Sequence, residues 1–134
     1  MTKVWIVDDD QDMVGAIRLM LRLLGCEEQH FLSARQAAKA LLEGGRPDLF
    51  LLDINMPEVS GLDFLEFLRH RKDFLQIPVV MLSTEAADVV VDKAITLGAD
   101  AYVTKPVALE ELEKAIQKAI LAHGYKTTHW EIPG

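Results

Sequence analysis

The side chains with the means for chemistry stand at the ends of apolar runs. Asp8, Asp9 and Asp10 follow Lys3 to Val7, Asp53 closes Leu49 to Leu52, Ser83 and Thr84 follow Ile77 to Leu82, and Lys105 stands just past Ala101 to Val103. Taken singly, each has an ordinary use. One of the three adjacent aspartates serves as a helix cap, and Asp53 is either a cap or turn residue or a nucleophile or metal ligand held at the lip of a sheet. Adjacent carboxylates repel one another unless something positive is near, so capping explains one aspartate of the run and leaves two. Taken together, two or three carboxylates, a hydroxyl and an ammonium, with no histidine among them, form a hard-oxygen set. Such donors suit a magnesium ion that keeps several waters and shares its remaining positions with a phosphoryl group.

That set forms a site only if the intervening elements bring the strand ends together. Lys3 to Val7 (Lys-Val-Trp-Ile-Val) is β-branched and aromatic, as a buried strand requires. Apolar residues at Met13 or Val14, Ile17, Met20 or Leu21, and Leu24 then have helical spacing, which Gly25 ends. Glu27 to Phe31 is polar enough for an edge strand. Ala34 to Glu43 is a helix of good formers, stopped by Gly44-Gly45. Asp48 to Leu52 reads as a strand buried on both faces. From Ser60 a helix follows, with Leu62, Leu65 and Leu68 on its apolar face and Phe64 and Phe67 reinforcing it.

Ile77 to Leu82 is a further apolar strand, with Pro78 at its start where a missing N–H costs least. Ala86 to Leu97 is expected to be helical, with Ala87, Val90, Val91 and Ala94 facing the core and Glu85, Asp88 and Asp92 facing solvent. Val89 falls on the polar side, a faint indication of a partner face. Ala101 to Val103 is a short strand. Ala108 to Ala122 is a helix carrying Leu109, Leu112, Ile116 and Ile120, with Glu110 and Glu111 at its positive end. Strands alternating with helices predict a parallel sheet covered on both faces through right-handed crossovers. All strand carboxyl ends then share one edge, where ligands of such sheets bind.

Composition narrows the function classes. With 134 residues the chain suits one domain that needs no covalent staples. A net charge of −7 argues against a generic nucleic-acid or anionic-membrane surface. The lone Cys26 excludes an internal disulfide and fits a reducing compartment. No segment approaches the roughly 20 apolar residues of a membrane span, and Val4 to Val7 is too short for a secretory leader. A cytoplasmic location is the expectation.

The motifs also resemble a known family. Val-Asp-Asp at 7 to 9, Asp-Ile-Asn-Met-Pro at 53 to 57 with Gly61 behind it, Ser83, and Tyr-Val-Thr-Lys-Pro at 102 to 106 are similar to the receiver domain of two-component response regulators. Each motif alone is weak; the ordered set is specific, and it extends from residue 3 to about 122. The resemblance implies an α/β, flavodoxin-like fold: a five-stranded parallel sheet of order 2-1-3-4-5 with five helices on both faces. A receiver would occupy 1–122, with 123–134 a C-terminal tail or truncated linker that contains Trp130 and Pro133.

It further implies that Asp53 accepts a phosphoryl group from the phosphohistidine of a sensor histidine kinase or phosphotransfer protein. Asp9 and Asp53 would bind Mg2+ directly, Asn55 through its backbone carbonyl, and Asp8 mainly through water. Lys105, before a cis proline at Pro106, would pair with the phosphoryl oxygens, and Ser83 would hydrogen-bond to one. Ser83 and Tyr102 would act as the switch, reshaping the surface of the fourth helix, fifth strand and fifth helix. Asn55, Thr84 and Glu85 stand where the family tunes the lifetime of its acyl phosphate, and Thr84 departs from the small residue usual there. Expected partners are an output domain or effector protein and a phosphorylation-dependent homodimer, with no direct nucleic acid contact and no membrane.

Such a chain is a phosphoacceptor switch without a turnover substrate of its own. One rival is a haloacid-dehalogenase-like phosphatase. It requires an aspartate two residues beyond the nucleophile, where Asn55 stands, as well as a nucleophile after the first strand and a cap insertion. A degenerate receiver acting only as an interaction module is disfavoured by the complete acidic set and Lys105. His30, His70, His123 and His129 show no ligand pair at helical spacing.

Overall fold

The computed structural model describes residues 1–124. The strands are β1 (Lys3–Val7), β2 (Glu27–Phe31), β3 (Leu49–Asp53), β4 (Val79–Ser83) and β5 (Ala101–Thr104). The helices are α1 (Gln11–Leu23), α2 (Ala34–Leu42), α3 (Gly61–Arg69), α4 (Asp88–Thr96) and α5 (Leu109–Ala122). All strand pairs are parallel. Their order, β2-β1-β3-β4-β5, is the one expected.

The period-two alternation of the strands builds two cores. Val4, Ile6, Leu49, Leu51, Val80 and Leu82 point to one face and meet Val14, Ile17 and Leu21 of α1 and Leu112, Ile116 and Ile120 of α5. Trp5, Val7, Phe50, Leu52, Val79 and Met81 point to the other and meet Ala37 and Leu41 of α2, Phe64, Leu65 and Leu68 of α3, and Ala94 of α4. Every residue of β3 and β4 is buried, as strands covered on both sides must be. The outer strand β2 is polar, and its Glu28 is held by Arg18 and Arg22 of α1. The helix stops at Gly25, Gly44, Gly98 and Gly124 all have positive φ, the conformation that ends a helix at low cost for glycine.

Several expected boundaries shift. β3 runs Leu49–Asp53 rather than Asp48 to Leu52, because Asp53 pairs with Leu82 and the next amide, Ile54 N–H, still bonds the Leu82 carbonyl. Asp48 stays outside, accepting the Lys3 amide. β4 starts at Val79, after Pro78, and includes Ser83. β5 likewise extends to Thr104.

The helix expected from Ala86 begins at Asp88. Its N-cap, Ala87, has no side-chain acceptor for the first amides. Ala87 is exposed and Val90 and Val91 are half-buried, so Ala94 is the one residue of α4 buried outright. Leu109, assigned to the core by its spacing, is 37% exposed at the first position of α5. Residues 125–134, with His129, Trp130 and Pro133, lie outside the described residues.

α3 is anchored at its start. Ser60 and Asp63 cap each other's amides, and Gly61 donates its N–H to the Ile54 carbonyl. A Cβ on Gly61 would lie 2.1 Å from the Asp53 carbonyl oxygen. Only glycine lets the helix start this close to β3. Gly61→Ala is therefore expected to destabilise the fold by about 2 kcal/mol or more, measured by urea unfolding. A cost under about 0.5 kcal/mol would mean that the turn relaxes freely.

Candidate functional site

β1, β3, β4 and β5 all end on one edge of the sheet, and their last residues meet there. Asp8 is fully buried just past β1. Its amide donates to the Phe31 carbonyl, one carboxylate oxygen accepts the Asp10 amide at 2.9 Å, and the other accepts Lys105 Nζ at 2.8 Å. Asp10 is the capping aspartate of the run, accepting the Asp12 and Met13 amides at the start of α1. Asp9, between them, is exposed.

Asp53 is 5% exposed, and its carboxylate lies 3.3 Å from Lys105 Nζ. Lys105 follows β5 and precedes a cis bond to Pro106, as the motif led one to expect. Its own amide donates to the Ser83 carbonyl, which ties the end of β5 to the end of β4. One oxygen from each of Asp8, Asp9 and Asp53 lies within 4.8 Å of the other two. Opposite ligands of an octahedral magnesium ion are about 4 Å apart, so this all-oxygen cluster fits a hard divalent cation.

Ser83 is completely buried, and its Oγ accepts the Glu85 amide at 3.0 Å. The Tyr102 hydroxyl donates to the Glu85 carbonyl at 2.7 Å. The two candidate switch residues thus grip opposite ends of Glu85. Asn55, Thr84 and Glu85 are exposed around the mouth of the site.

The electrostatics follow from burial. Desolvation, with the charge of Asp8 added, pushes the Asp53 carboxyl up to about 6, while Lys105 and the Asn55 backbone pull the other way. Burial by itself would lower the Lys105 pKa, but the hydrogen bond to Asp8 and the charges of Asp53 and Asp8 outweigh it and hold the ammonium above its ordinary value.

Two contributions go beyond the sequence motifs. Gly61 was matched as a motif residue, yet its role as a close-packed floor under Asp53 needs three dimensions. His30, set aside with the other histidines for want of a ligand pair, lies at the rim, with Nε2 2.7 Å from the Asp8 carbonyl. Its place near the carboxyl end of the strand beside β1 is the feature from which that contact could have been inferred.

Comparison with known proteins bears on the family and the fold. Residues 4–117 match the family model for the response regulator receiver domain. The transcriptional regulatory protein KdpE of Mycobacterium tuberculosis is 35% identical over 124 residues, covering 90% of this chain and 51% of the relative. The transcriptional regulatory protein BasR of Escherichia coli is 35% identical over 123 residues, covering 90% and 53%. This chain therefore spans about half the length of those relatives. Among solved structures, the Vibrio cholerae chemotaxis protein CheY4 superposes with a TM-score of 0.79 at 30% identity, over 89% of this chain and 98% of that one. A putative response regulator from Chloroflexus aurantiacus, at 23% identity, shares the fold with a TM-score of 0.84, over 90% of this chain and 98% of that one.

The raised Asp53 pKa has a sign that can be checked without any partner. Folding lifts this acid from the ordinary 3.8 to about 6, so the native chain holds its proton longer than the unfolded chain does. The penalty is absent below pH 4 and complete above pH 6, costing about 2 to 3 kcal/mol at most. Asp53→Asn in chelator is expected to raise stability by about 1 to 2 kcal/mol at pH 8, with the gain fading toward pH 4. Urea midpoints across that range provide the check; a gain that grows as pH falls would overturn the assignment.

Proposed function

The chain belongs to the response regulator receiver family, whose members are signalling domains rather than metabolic enzymes, and from this premise we propose that Asp53 is its phosphoacceptor. The donor is the phosphohistidine of a sensor histidine kinase or phosphotransfer protein. The observation that carries the reading is the buried contact of Lys105 with both Asp8 and Asp53 at converging strand ends.

Asp8, Asp9, Asp53 and the backbone carbonyl of Asn55 would hold Mg2+, which when bound supplies positive charge to the phosphoryl oxygens. A carboxylate oxygen of Asp53 attacks phosphorus, the phosphorus–nitrogen bond breaks, and its electron pair returns to the donor imidazole. Lys105 orients and neutralises the incoming group. Transfer of this kind rests on positioning and charge balance more than on covalent assistance.

The Ser83 hydroxyl is placed to hydrogen-bond to a phosphoryl oxygen. Turning toward it gives up the Glu85 amide, so the segment before α4 loses one of its two holds while the hydroxyl of Tyr102 retains the other. With its single fully buried residue and uncapped start, α4 is the helix best able to respond. The readout surface is that of α4, β5 and α5. Val89 is 79% exposed there, and a groove of about 270 Å3 runs past Tyr102 between Glu111, Lys114 and Lys118.

An output domain, an effector or a phosphorylation-dependent homodimer is the partner class. The relatives called transcriptional regulators are about twice this chain's length, which supports the first. Residues 1–122 form the receiver, and 123–134 a tail or linker. Asn55, Thr84 and Glu85 at the mouth tune the phosphoryl lifetime. A cytoplasmic site of action, where a kinase's phosphohistidine is met, is part of this reading; no described helix is long and apolar enough to cross a membrane.

Incubation with Mg2+ and a small acyl phosphate should add one phosphoryl group by intact mass. Asp53→Asn should abolish the adduct, and Lys105→Ala should slow its formation by about a hundredfold. No adduct from either an acyl phosphate or a cognate kinase would leave only an interaction module, and steady turnover of phosphate monoesters would favour the phosphatase reading. On the readout surface, Val89→Lys should weaken self-association or effector binding by roughly tenfold without changing adduct formation. Unchanged affinities, measured by sedimentation and titration calorimetry, would remove Val89 from that surface.

A further inference from the structure

β2 takes no part in the strand ends that carry the acidic cluster, yet it grips the first of them. The Asp8 amide donates to the Phe31 carbonyl at 3.1 Å, and the Asp8 carbonyl lies 2.7 Å from His30 Nε2. A carbonyl oxygen can only accept, so Nε2 carries the proton. His30 is half-buried and opposite Ile6 in the β1–β2 register, two residues short of Asp8. Both polar groups of the Asp8 backbone are therefore fastened to β2, while its two carboxylate oxygens are fastened to Asp10 and Lys105.

The Asp8 carbonyl belongs to the peptide plane that joins Asp8 to Asp9. Turning that plane swings the Cα–Cβ bond of Asp9, the exposed member of the three-carboxylate cluster. The plane is held at its oxygen by His30, and Asp10, one residue beyond Asp9, is held as the cap of α1. We propose that His30 is a positioning residue of the cation site: its Nε2–H fixes the Asp8–Asp9 peptide and so aims Asp9 at a divalent metal. The inference rests on the divalent-cation reading above and assigns β2 a part in it.

Glutamine can present an N–H at the reach of Nε2, asparagine is polar but too short, and leucine fills the space without a donor. The full chain is titrated with Mg2+ by calorimetry, and amide exchange at Asp9 and Asp10 is followed by NMR in chelator. His30→Leu and His30→Asn should each weaken Mg2+ binding by roughly tenfold and speed exchange at those amides by a similar factor, while His30→Gln stays within about twofold of wild type. Equal Mg2+ affinity in wild type and His30→Asn, or equal loss in the Gln and Asn variants, overturns the inference. If wild type binds no Mg2+, the cation reading itself fails. The metal-free exchange rates then decide on His30 alone: faster in Asn than in Gln upholds its hold on the Asp8–Asp9 peptide, and no difference ends it.

Discussion

The ammonium of Lys105 lies between two buried carboxylates, Asp8 and Asp53, and the rest of the structure is arranged around that charge balance. Taking an ion out of water costs several kcal/mol even after relaxation, and two like charges side by side add to it. One cation cannot neutralise two buried anions with a third, Asp9, beside them. Burial first, and the charge of Asp8 second, keep the Asp53 carboxyl up at about 6 in spite of Lys105. A site built this way carries uncompensated negative charge, which the divalent cation proposed above would offset.

Holding such a site open requires stiff supports, and the fold supplies them unevenly. β3 and β4 are buried along their whole length, and Gly61 lets α3 start against the Asp53 backbone. On the opposite flank, α4 is seated through Ala94 with partial help from Val90 and Leu97. The fully buried side positions the carboxylates and the proposed response falls to the less buried side, with Ser83 and Tyr102 at the boundary through their shared hold on Glu85.

Much of this was legible in the amino-acid sequence, because strand ends in a parallel sheet share an edge and the polar residues fall at those ends. Asp8, Asp53, Ser83 and Lys105 could be gathered from their positions behind apolar runs alone. Helix ends were readable wherever glycine takes positive φ. What could not be read depended on contacts between distant segments. Asp53 joins β3 because β4 offers it a pairing partner, and α4 starts at Asp88 because Ala87 takes extended backbone angles and serves as an N-cap without a side-chain acceptor. The spacing of Leu109 is right for a core position, yet at the first residue of α5 it stays exposed. His30 looked like a polar residue on an edge strand, and only the register of β2 against β1 brings it to the Asp8 carbonyl.

The Lys105–Asp8 ion pair joins residues 97 positions apart. Parallel strands cannot pair until a full crossover has folded between them, so a contact of this span forms only after most of the chain entropy has been surrendered. The unfolded chain keeps only the adjacent Asp8 and Asp9 of the cluster, without Asp53 or Lys105 beside them. Occupancy of the complete site therefore favours the native state, and whatever fills it adds stability that grows with the logarithm of its concentration, making the pocket also a sensor of whether the domain is folded.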